Sequence, residues 1–440
     1  MKNILYITLL ICSFTFAQQT PGAKQTKVIT ILGATAHIGN GSLIENSILI
    51  FENGKLTVVA DATSTTTPSK GTVINANGKH IYPGFIAPNS TLGLVEIDAV
   101  RASNDNRELG TFNPHIRSII AYNTESKVTE SMRPNGVLQA QITPRGGRIS
   151  GSSSIVQFDA WNWEDAVIKE DDGIHINWPR TFNSSGWWAA PGPTTPNKKY
   201  TEQVTELNNF FTNARYNNSK TTHLVFDSMK SVFNKTKKVF IHVNDEKQII
   251  DAINFAVEQQ INLVVIGAYD AYKTIPLLKK HNIPVILKRV HSTPDNDDDD
   301  YDLPYRLANI LTTAGILVGL DTSGNMERMN TRNLPFYAGT CVAFGLDKEK
   351  AVQLISLNTA KILGIDHFTG SLEVGKDATL FISEGDALDM RTNKLTHAFI
   401  QGRPISLETH QTELYKRYTE KYNNDSKTVK KSHKKSQPIQ

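Results

Sequence analysis

Two residues of this sequence have the chemistry of metal ligands and directly follow short apolar runs. His242 follows Ile241 at the end of one run, and Asp321 follows Leu320 at the end of another. Zinc accepts both an imidazole nitrogen and a carboxylate oxygen, and a carboxylate beside the metal can take the proton of an attacking water. The pair is therefore a candidate for two ligands of a metal site. It falls short of a catalytic zinc site, which normally has three protein ligands and a water molecule.

Four apolar runs must position these side chains, and amphipathic helical patterns separate the runs. The runs cover residues 239–243, 263–266, 285–287 and 316–320. This alternation is typical of parallel βαβ units. Four units in series favour a (β/α)8 TIM-like barrel, although periodicity by itself leaves a doubly wound sheet open. In a barrel the carboxyl ends of the strands open into one pocket, which would be lined by Asn89, Thr91, His242, Gly267, Lys288 and Asp321.

A further strand is predicted in residues 81–94, which read Ile-Tyr-Pro-Gly-Phe-Ile-Ala-Pro-Asn-Ser-Thr-Leu-Gly-Leu. The stretch begins apolar and ends in small polar groups, as expected of a buried strand that opens into a pocket. It resembles the first barrel strand of the amidohydrolase superfamily, in the imidazolonepropionase-like branch, where Pro-Gly-Phe-Ile-Asp leads into His-x-His. Ala87 stands at the aspartate position, and Asn89 and Thr91 stand at the two histidine positions. A neutral amide and a hydroxyl are weak zinc ligands, so this metal-binding pair is missing.

The same resemblance assigns roles to the other strand ends. His242 resembles the metal histidine of the fifth strand, and Asp321 resembles the aspartate of the eighth strand, which binds metal and accepts the proton of water. Gly267 falls where a sixth-strand histidine is expected, and no convincing counterpart of the bridging lysine or glutamate of the fourth strand is found. The resemblance therefore implies a degenerate site in which the ordinary binuclear mechanism cannot operate.

The resemblance covers residues 28–405 and predicts two structural units. Residues 81–365 form the barrel, and a small β-sandwich is built from both chain ends, from 18–80 and 366–410. Within the first of these ends, Asn53-Gly54 between two apolar runs is a strong hairpin signal.

The amino terminus predicts export. Residues 1–17 have a basic start at Lys2, an apolar run and a small residue at Ala17, which is typical of a secretory signal peptide and too short for a comfortable membrane span. We therefore expect a periplasmic or secreted protein without a transmembrane span. Once the signal is removed, Cys341 is the one remaining cysteine, which excludes an intrachain disulfide.

Residues 101–200 have the least regular pattern and are predicted to be an insertion rich in tryptophan. It either forms loops over the barrel mouth or packs against the side of the barrel. Its candidate ligand-binding residues are Arg145 and Arg148, in a glycine-rich turn that could hold a carboxylate, and Trp161 and Trp163. The alternative for the turn is a plain connector.

Charge is concentrated near the carboxyl terminus. Residues 415–440 have eight Lys or Arg residues against Glu420 and Asp425, although the whole chain is only +4. We predict a basic disordered tail over 411–440, and no nucleic-acid partner for the slightly acidic body. The acidic run 295–302 lacks the glycine and glutamate of a calcium loop, so it is either a solvated turn or a weak cation site.

These observations support two functional hypotheses. The first is an exported amidohydrolase-like protein that is non-catalytic or weakly hydrolytic and binds a small amide- or peptide-like ligand, or an intact amidohydrolase homologue as partner. The second is an active hydrolase of carbon-nitrogen bonds other than peptide bonds, with one metal on His242 and Asp321. His115, His175 or His291 from a loop would complete its shell. We thus expect either no cofactor or a single weakly held divalent metal, with zinc as the first choice.

Overall fold

The computed structural model describes residues 20–187, 189–217, 221–324 and 326–435, so the predicted signal peptide at 1–17 lies outside the described residues. In chain order the strands are β1 (Ile29–His37), β2 (Leu43–Glu52), β3 (Lys55–Asp61), β4 (Thr72–Asn75), β5 (His80–Pro83), β6 (Phe85–Ser90), β7 (Val137–Ile142), β8 (Ile149–Gln157), β9 (Val167–Asn177), β10 (Phe182–Trp187), β11 (Ala190–Pro196), β12 (Lys238–Val243), β13 (Leu263–Gly267), β14 (Val285–Leu287), β15 (Val318–Leu320), β16 (Leu380–Ser383), β17 (Leu395–Ile400) and β18 (Arg403–Pro404).

The helices lie mostly in the second half of the chain. They are α1 (Lys127–Glu130), α2 (Trp163–Ala166), α3 (Tyr200–Arg215), α4 (Leu224–Asp227), α5 (Lys230–Phe233), α6 (Glu246–Glu258), α7 (Ile275–Lys280), α8 (Leu303–Thr313), α9 (Glu327–Asn330), α10 (Leu334–Ala343), α11 (Lys348–Leu354), α12 (Leu357–Leu363) and α13 (His410–Lys435). Short 3-10 helices occur at Arg101–Ser103, Ser118–Ala121, Arg133–Asn135, Tyr269–Thr274 and Thr331–Asn333.

One eight-stranded sheet forms a nearly closed barrel, with the order β15-β14-β13-β12-β9-β8-β7-β6. The four predicted apolar runs are β12 to β15, and all their pairings are parallel. The two edge strands approach each other, since Asn89 Nδ2 donates a hydrogen bond to Asp321 Oδ2 at 2.8 Å. The mixed α/β barrel is therefore confirmed, but strict (β/α)8 alternation is not. Strand β8 runs antiparallel to both of its neighbours.

The region 101–200 is not an insertion into the barrel, because it supplies barrel strands β7, β8 and β9. The hydrophobic pattern of its sequence does not indicate these strands. Inward positions of β8 and β9 carry Ser153, Asp172 and His175, which bond one another instead of packing as apolar side chains. A buried strand usually reads as a continuous apolar run, and that signal is lost where a polar network fills the interior.

Helix α12 lies at the end of the barrel opposite the mouth. Its residue Ile362 belongs to one buried apolar cluster with Ile86, Phe240 and Ile286 from three barrel strands. The unpaired carbonyl groups at the carboxyl end of a helix favour cations. Lys169 Nζ donates to Leu363 O at 2.9 Å and Lys238 Nζ donates to Lys361 O at 3.2 Å. The interior of the barrel is thus apolar at this end and polar toward the mouth, and the two lysines bond the carbonyl groups of helix α12.

The second eight-stranded sheet takes strands from both chain ends, in the order β18-β17-β16-β5-β1-β2-β3 with β4 beside β1. Asn53 and Gly54 have positive φ angles of 51° and 79° and connect β2 to β3, as the hairpin signal predicted. Hydrogen bonds join all eight strands, so the predicted two-sheet sandwich is not confirmed. Phe51 on β2 and Phe399 on β17 nevertheless contact at 5.1 Å between ring centroids, which shows that the sheet bends around a shared core.

The carboxyl-terminal segment forms helix α13 where we predicted disorder over 411–440; residues 436–440 lie outside the described part. Thr409 and Thr412 bond each other's backbone N–H groups with their hydroxyls, at 3.2 and 2.8 Å, and His410 N donates to Glu130 Oε1 at 2.7 Å. Polar composition suggested disorder, but an amino-terminal cap and good helix-forming residues are enough to start a helix. Within the described residues, no helix combines the length and apolar character needed to cross a membrane.

Candidate functional site

The carboxylate of Asp321 is bonded on both oxygens. Asn89 Nδ2 donates to Oδ2 at 2.8 Å, and Ser323 donates to Oδ1 from its backbone N and its hydroxyl, at 3.0 and 2.7 Å. Asp321 is 1% exposed and Asn89 is 3% exposed. Burial raises the pKa of Asp321 to about 6, against the hydrogen bonds from Asn89 and Ser323, which lower it. The side chains at strand-end positions 89 and 321 are therefore bonded to each other, while Asn89 Oδ1 is buried without a hydrogen-bond partner among the described residues.

The histidine of the fifth barrel strand has another histidine beside it. His175 Nδ1 lies 3.1 Å from His242 Nε2, and His175 Nε2 lies 2.9 Å from Ser153 Oγ. Burial lowers the pKa of His242 to about 3 and the pKa of His175 well below its ordinary value, with Arg145 adding to both effects. Both rings are therefore neutral at neutral pH.

We predicted that a third histidine would come from a loop, but His175 belongs to strand β9 and is fully buried. His291 bonds Thr340 Oγ1 at 2.7 Å, and no described contact joins His115 or His291 to the His175 and His242 pair. The order of the sheet explains the placement, since β9 pairs with β12 and brings His175 beside Phe240, two residues before His242.

A buried polar network that the sequence analysis missed links the two pairs. Gln141 Oε1 accepts from Asn89 N at 3.0 Å, and Gln141 Nε2 donates to Asp172 Oδ2 at 2.8 Å. Ser153 Oγ donates to Asp172 Oδ1 at 2.7 Å and also contacts His175. Burial raises the pKa of Asp172. The alternating Gln139 and Gln141 inside an apolar run were the available sequence signal.

Arg145 lies in the site, but it is bonded to the protein. Its Nη2 donates to Asn89 O at 2.8 Å and to Glu327 Oε1 at 2.9 Å, and Thr91 Oγ1 donates to the same Glu327 oxygen at 2.7 Å. Arg148 Nη1 donates to Asn177 O at 2.8 Å. The glycine-rich turn thus directs its guanidinium groups to protein acceptors, and Arg145 holds the end of β6 against α9.

Trp161 and Trp163 are not at the mouth. They follow β8, whose antiparallel direction places its carboxyl end beside the amino ends of the parallel strands. Trp161 is 64% exposed and lines a separate cavity of about 240 Å³ with Arg133 and Asp159. Trp178, which follows β9, lies at the mouth instead and donates from Nε1 to Tyr200 Oη at 3.0 Å.

Gly267 cannot be replaced by a histidine without strain. Its φ angle is +94°, and a Cβ atom there would lie 2.6 Å from Val243 O and 2.7 Å from Asn244 Oδ1. L-residues rarely adopt this conformation, and the contact with Val243 is with backbone. The backbone conformation at position 267 therefore disfavours any residue with a side chain.

Lys288 lies at the mouth and contacts the acidic run. Its Nζ donates to Asp295 Oδ2 at 2.6 Å and lies 4.8 Å from the Tyr269 ring centroid. Asp300 pairs with Arg306 at 2.6 Å. Lys288 and Arg306 thus pair with carboxylates of the acidic run 295–302.

The mouth itself is a cavity of about 590 Å³ at the carboxyl ends of β9, β12, β13 and β14. His242, Asn244 and Trp178 line it together with the charged residues Arg180, Asp245 and Lys288. Asp245 accepts from Thr181 Oγ1 at 2.6 Å and caps helix α6, so its charge is already engaged. Because Lys288 is paired with Asp295, the lining offers the cation of Arg180, an amide and a neutral imidazole to a small polar ligand.

The donors present do not fit the metal centre that the fold implies. Both Asp321 oxygens and both His175 ring nitrogens are engaged by protein groups. A metal needs free lone pairs on deprotonated ligands arranged around one point. In the ranges that the structure describes, no three His, Cys, Asp or Glu side chains are grouped so that they could hold a metal ion.

Comparison with known proteins gives the class of this barrel protein. The amidohydrolase family model matches residues 192–407. An imidazolonepropionase from Flavobacterium psychrophilum is 27% identical over 110 residues, which cover 23% of this chain and 27% of that protein. The chain thus matches about a quarter of the length of this curated relative.

Solved structures of other proteins have a fold similar to that of this chain. An amidohydrolase from Thermotoga maritima has a TM-score of 0.73 and 22% identity, covering 86% of this chain and 99% of the other. A prolidase complexed with N-methylphosphonate-L-proline has a TM-score of 0.52 and 13% identity, over 86% and 99% of the two chains. The chain is thus similar to the amidohydrolase family in sequence over residues 192–407, and to a solved amidohydrolase in fold over 86% of its length.

Proposed function

We propose that this chain is a ligand-binding amidohydrolase-superfamily protein that works without the binuclear metal centre, either without turnover or as a weak hydrolase. The observation that carries the proposal is the hydrogen bond of 2.8 Å from Asn89 Nδ2 to Asp321 Oδ2. An amide N–H here bonds the carboxylate oxygen that the family offers to metal. A buried carboxylate that is satisfied by protein donors has no need of a cation.

The ligand we propose is a small amide- or peptide-like molecule with a carboxylate. Arg180 at the mouth can attract the carboxylate, and Asn244 and His242 can exchange hydrogen bonds with an amide. The prolidase of similar fold, whose crystals contain N-methylphosphonate-L-proline, supports this class of ligand without identifying it.

The alternative is a mononuclear metal-dependent hydrolase that uses His242 and Asp321. The proximity of His175 to His242, 3.1 Å between ring nitrogens, favours it because a second nitrogen donor lies beside the first. It would require the two histidines to separate and Asn89 to release Asp321. Because those bonds are buried, breaking them would cost free energy, and the binding free energy of the metal would have to exceed that cost.

The deciding experiment measures metal by mass spectrometry in protein purified without chelator or metal-affinity resin, beside the double variant His242→Ala, Asp321→Asn. Ligand binding is measured in parallel by calorimetry, with and without chelator. The proposal expects substoichiometric metal and chelator-insensitive binding. Stoichiometric zinc, iron or manganese that disappears in the double variant would contradict it and support the mononuclear hydrolase.

We also propose that the protein is exported to the periplasm or secreted, on the signal-like pattern of residues 1–17. An intact amidohydrolase homologue is a second proposed partner. It would have to be exported to the same compartment as this chain. Cell fractionation and sequencing of the mature amino terminus test the location. Recovery of uncleaved protein in the cytoplasm would contradict export.

A further inference from the structure

Helix α13 presents an aromatic stripe that the mouth does not use. Tyr415, Tyr418 and Tyr422 are 72%, 48% and 62% exposed. Their spacing of three and four residues places them on one face of the helix, together with Gln411 and Leu414. Every described side chain from His410 to Asn423 is exposed or half-buried. The stripe is therefore open to a partner.

The charge of the same helix is strongly positive. Residues 410–435 include eight Lys or Arg residues against three acidic residues, and none of these lies on the face of Gln411, Leu414, Tyr415, Tyr418 and Tyr422. Lys416, Arg417 and Lys421 lie between the tyrosines in sequence but off the stripe. Helix α13 thus combines an aromatic face with a basic remainder.

We propose that helix α13 binds the surface of an anionic lipid bilayer, lying in the interface plane. A 26-residue helix is about 39 Å long, which is ample for a surface contact. Tyrosine rings suit the boundary between headgroups and acyl chains, and basic residues around them are attracted to anionic headgroups. A second copy of the helix is a poorer fit, because two strongly basic helices repel each other.

The contact of the helix with the body fits this arrangement. His410 N donates to Glu130 Oε1, and Lys416 pairs with Glu408, so the start of the helix is held by the body. The residues beyond the first turns remain accessible along the tyrosine stripe. The body would consequently be tethered beside the membrane, without any segment crossing it.

The test is co-sedimentation of the full chain with vesicles of phosphatidylcholine alone or mixed with phosphatidylglycerol. One variant carries Tyr415→Gln, Tyr418→Gln and Tyr422→Gln, which keeps helix propensity and removes the rings. A second carries Lys430→Gln, Lys431→Gln, Lys434→Gln and Lys435→Gln. Tyr301→Gln is the matched control, since Tyr301 is 80% exposed on the body.

We expect binding to mixed vesicles only, weakened at least about tenfold in both multiple variants and unchanged in the control. Circular dichroism should show that helix content is kept. No vesicle binding, equal binding to neutral vesicles, or an equal loss in the control would overturn the proposal. Tyrosine-dependent dimerisation in light scattering would assign the stripe to a second copy. Binding to heparin or DNA without vesicle binding would assign the helix to a soluble polyanion.

Discussion

Asn89 donates its side-chain amide N–H to Asp321 Oδ2 at 2.8 Å, across the seam between the first and last strands of the barrel sheet. Asn89 has a φ angle of +50°, a conformation that asparagine tolerates better than most residues. Its backbone N donates to Gln141 Oε1, and its carbonyl accepts from Arg145. Asn89 thus connects the seam of the barrel to the buried polar network and to Arg145.

Asn89→Ala should destabilise the protein by about 2–4 kcal/mol. The substitution leaves a buried oxygen of Asp321 without its donor, which costs about 1–3 kcal/mol, and adds strain at positive φ. Urea unfolding measures the change. Asn53→Ala is the matched control, because Asn53 is exposed and has nearly the same φ angle, +51°. An equal loss in both variants would show that the hydrogen bond contributes nothing.

Asp321 should make stability fall as the pH rises. Burial raises the pKa of its folded form to about 6, above the ordinary value of 3.8, so the folded protein binds the proton more tightly than the unfolded chain. Between about pH 4 and pH 6 the carboxyl ionises at a growing cost, on the order of 3 kcal/mol in total. Above pH 6 the loss is complete.

Asp321→Asn should remove this dependence. The difference in unfolding free energy between the wild type and Asp321→Asn, measured by urea denaturation from pH 4 to pH 7, isolates this group from the others that titrate. The difference should move in favour of the variant as the pH rises. A difference that does not vary with pH would mean that Asp321 is ionised in the folded protein throughout this range.

Gly267→His should not restore a metal ligand and should lower stability by about 3 kcal/mol or more. The new side chain would meet the Val243 carbonyl at 2.6 Å as well as the strain of positive φ. Gly315→Ala is the control: its φ angle is +84° and a Cβ atom there meets nothing within 4 Å. Thermal unfolding should show a much smaller loss for the control than for Gly267→His.

Arg180→Gln should weaken ligand binding without weakening the fold. If Arg180 attracts a carboxylate at the mouth, its loss should reduce affinity for an N-acyl amino acid at least about tenfold. Calorimetry measures the affinity. Arg391→Gln, on an arginine whose side chain is 84% exposed and paired with Asp389, is the matched control. Equal affinities for Arg180→Gln and the wild type would remove Arg180 from the proposed site.

Three strands with polar side chains, β7 to β9, were not predicted from the sequence. Strands β7 to β9 keep polar side chains inside the barrel, and their partners lie on other strands. Gln141 bonds Asp172, and Ser153 bonds both Asp172 and His175. Hydrophobic periodicity detects a strand by the apolar face it buries, so strands that bury hydrogen-bonded polar groups escape it.

The sequence by itself determined the four parallel strands β12 to β15, the residues His242 and Asp321 at two of their ends, and the presence of Asn, Thr and Gly at positions 89, 91 and 267. Parallel strands buried on both faces are continuous apolar runs, which a sequence displays directly. Only the tertiary structure decided that His175 lies beside His242, that Arg145 turns to Glu327, and that Trp161 lies away from the mouth. Those relationships depend on strand order and direction, above all on the antiparallel β8, and no local pattern encodes them.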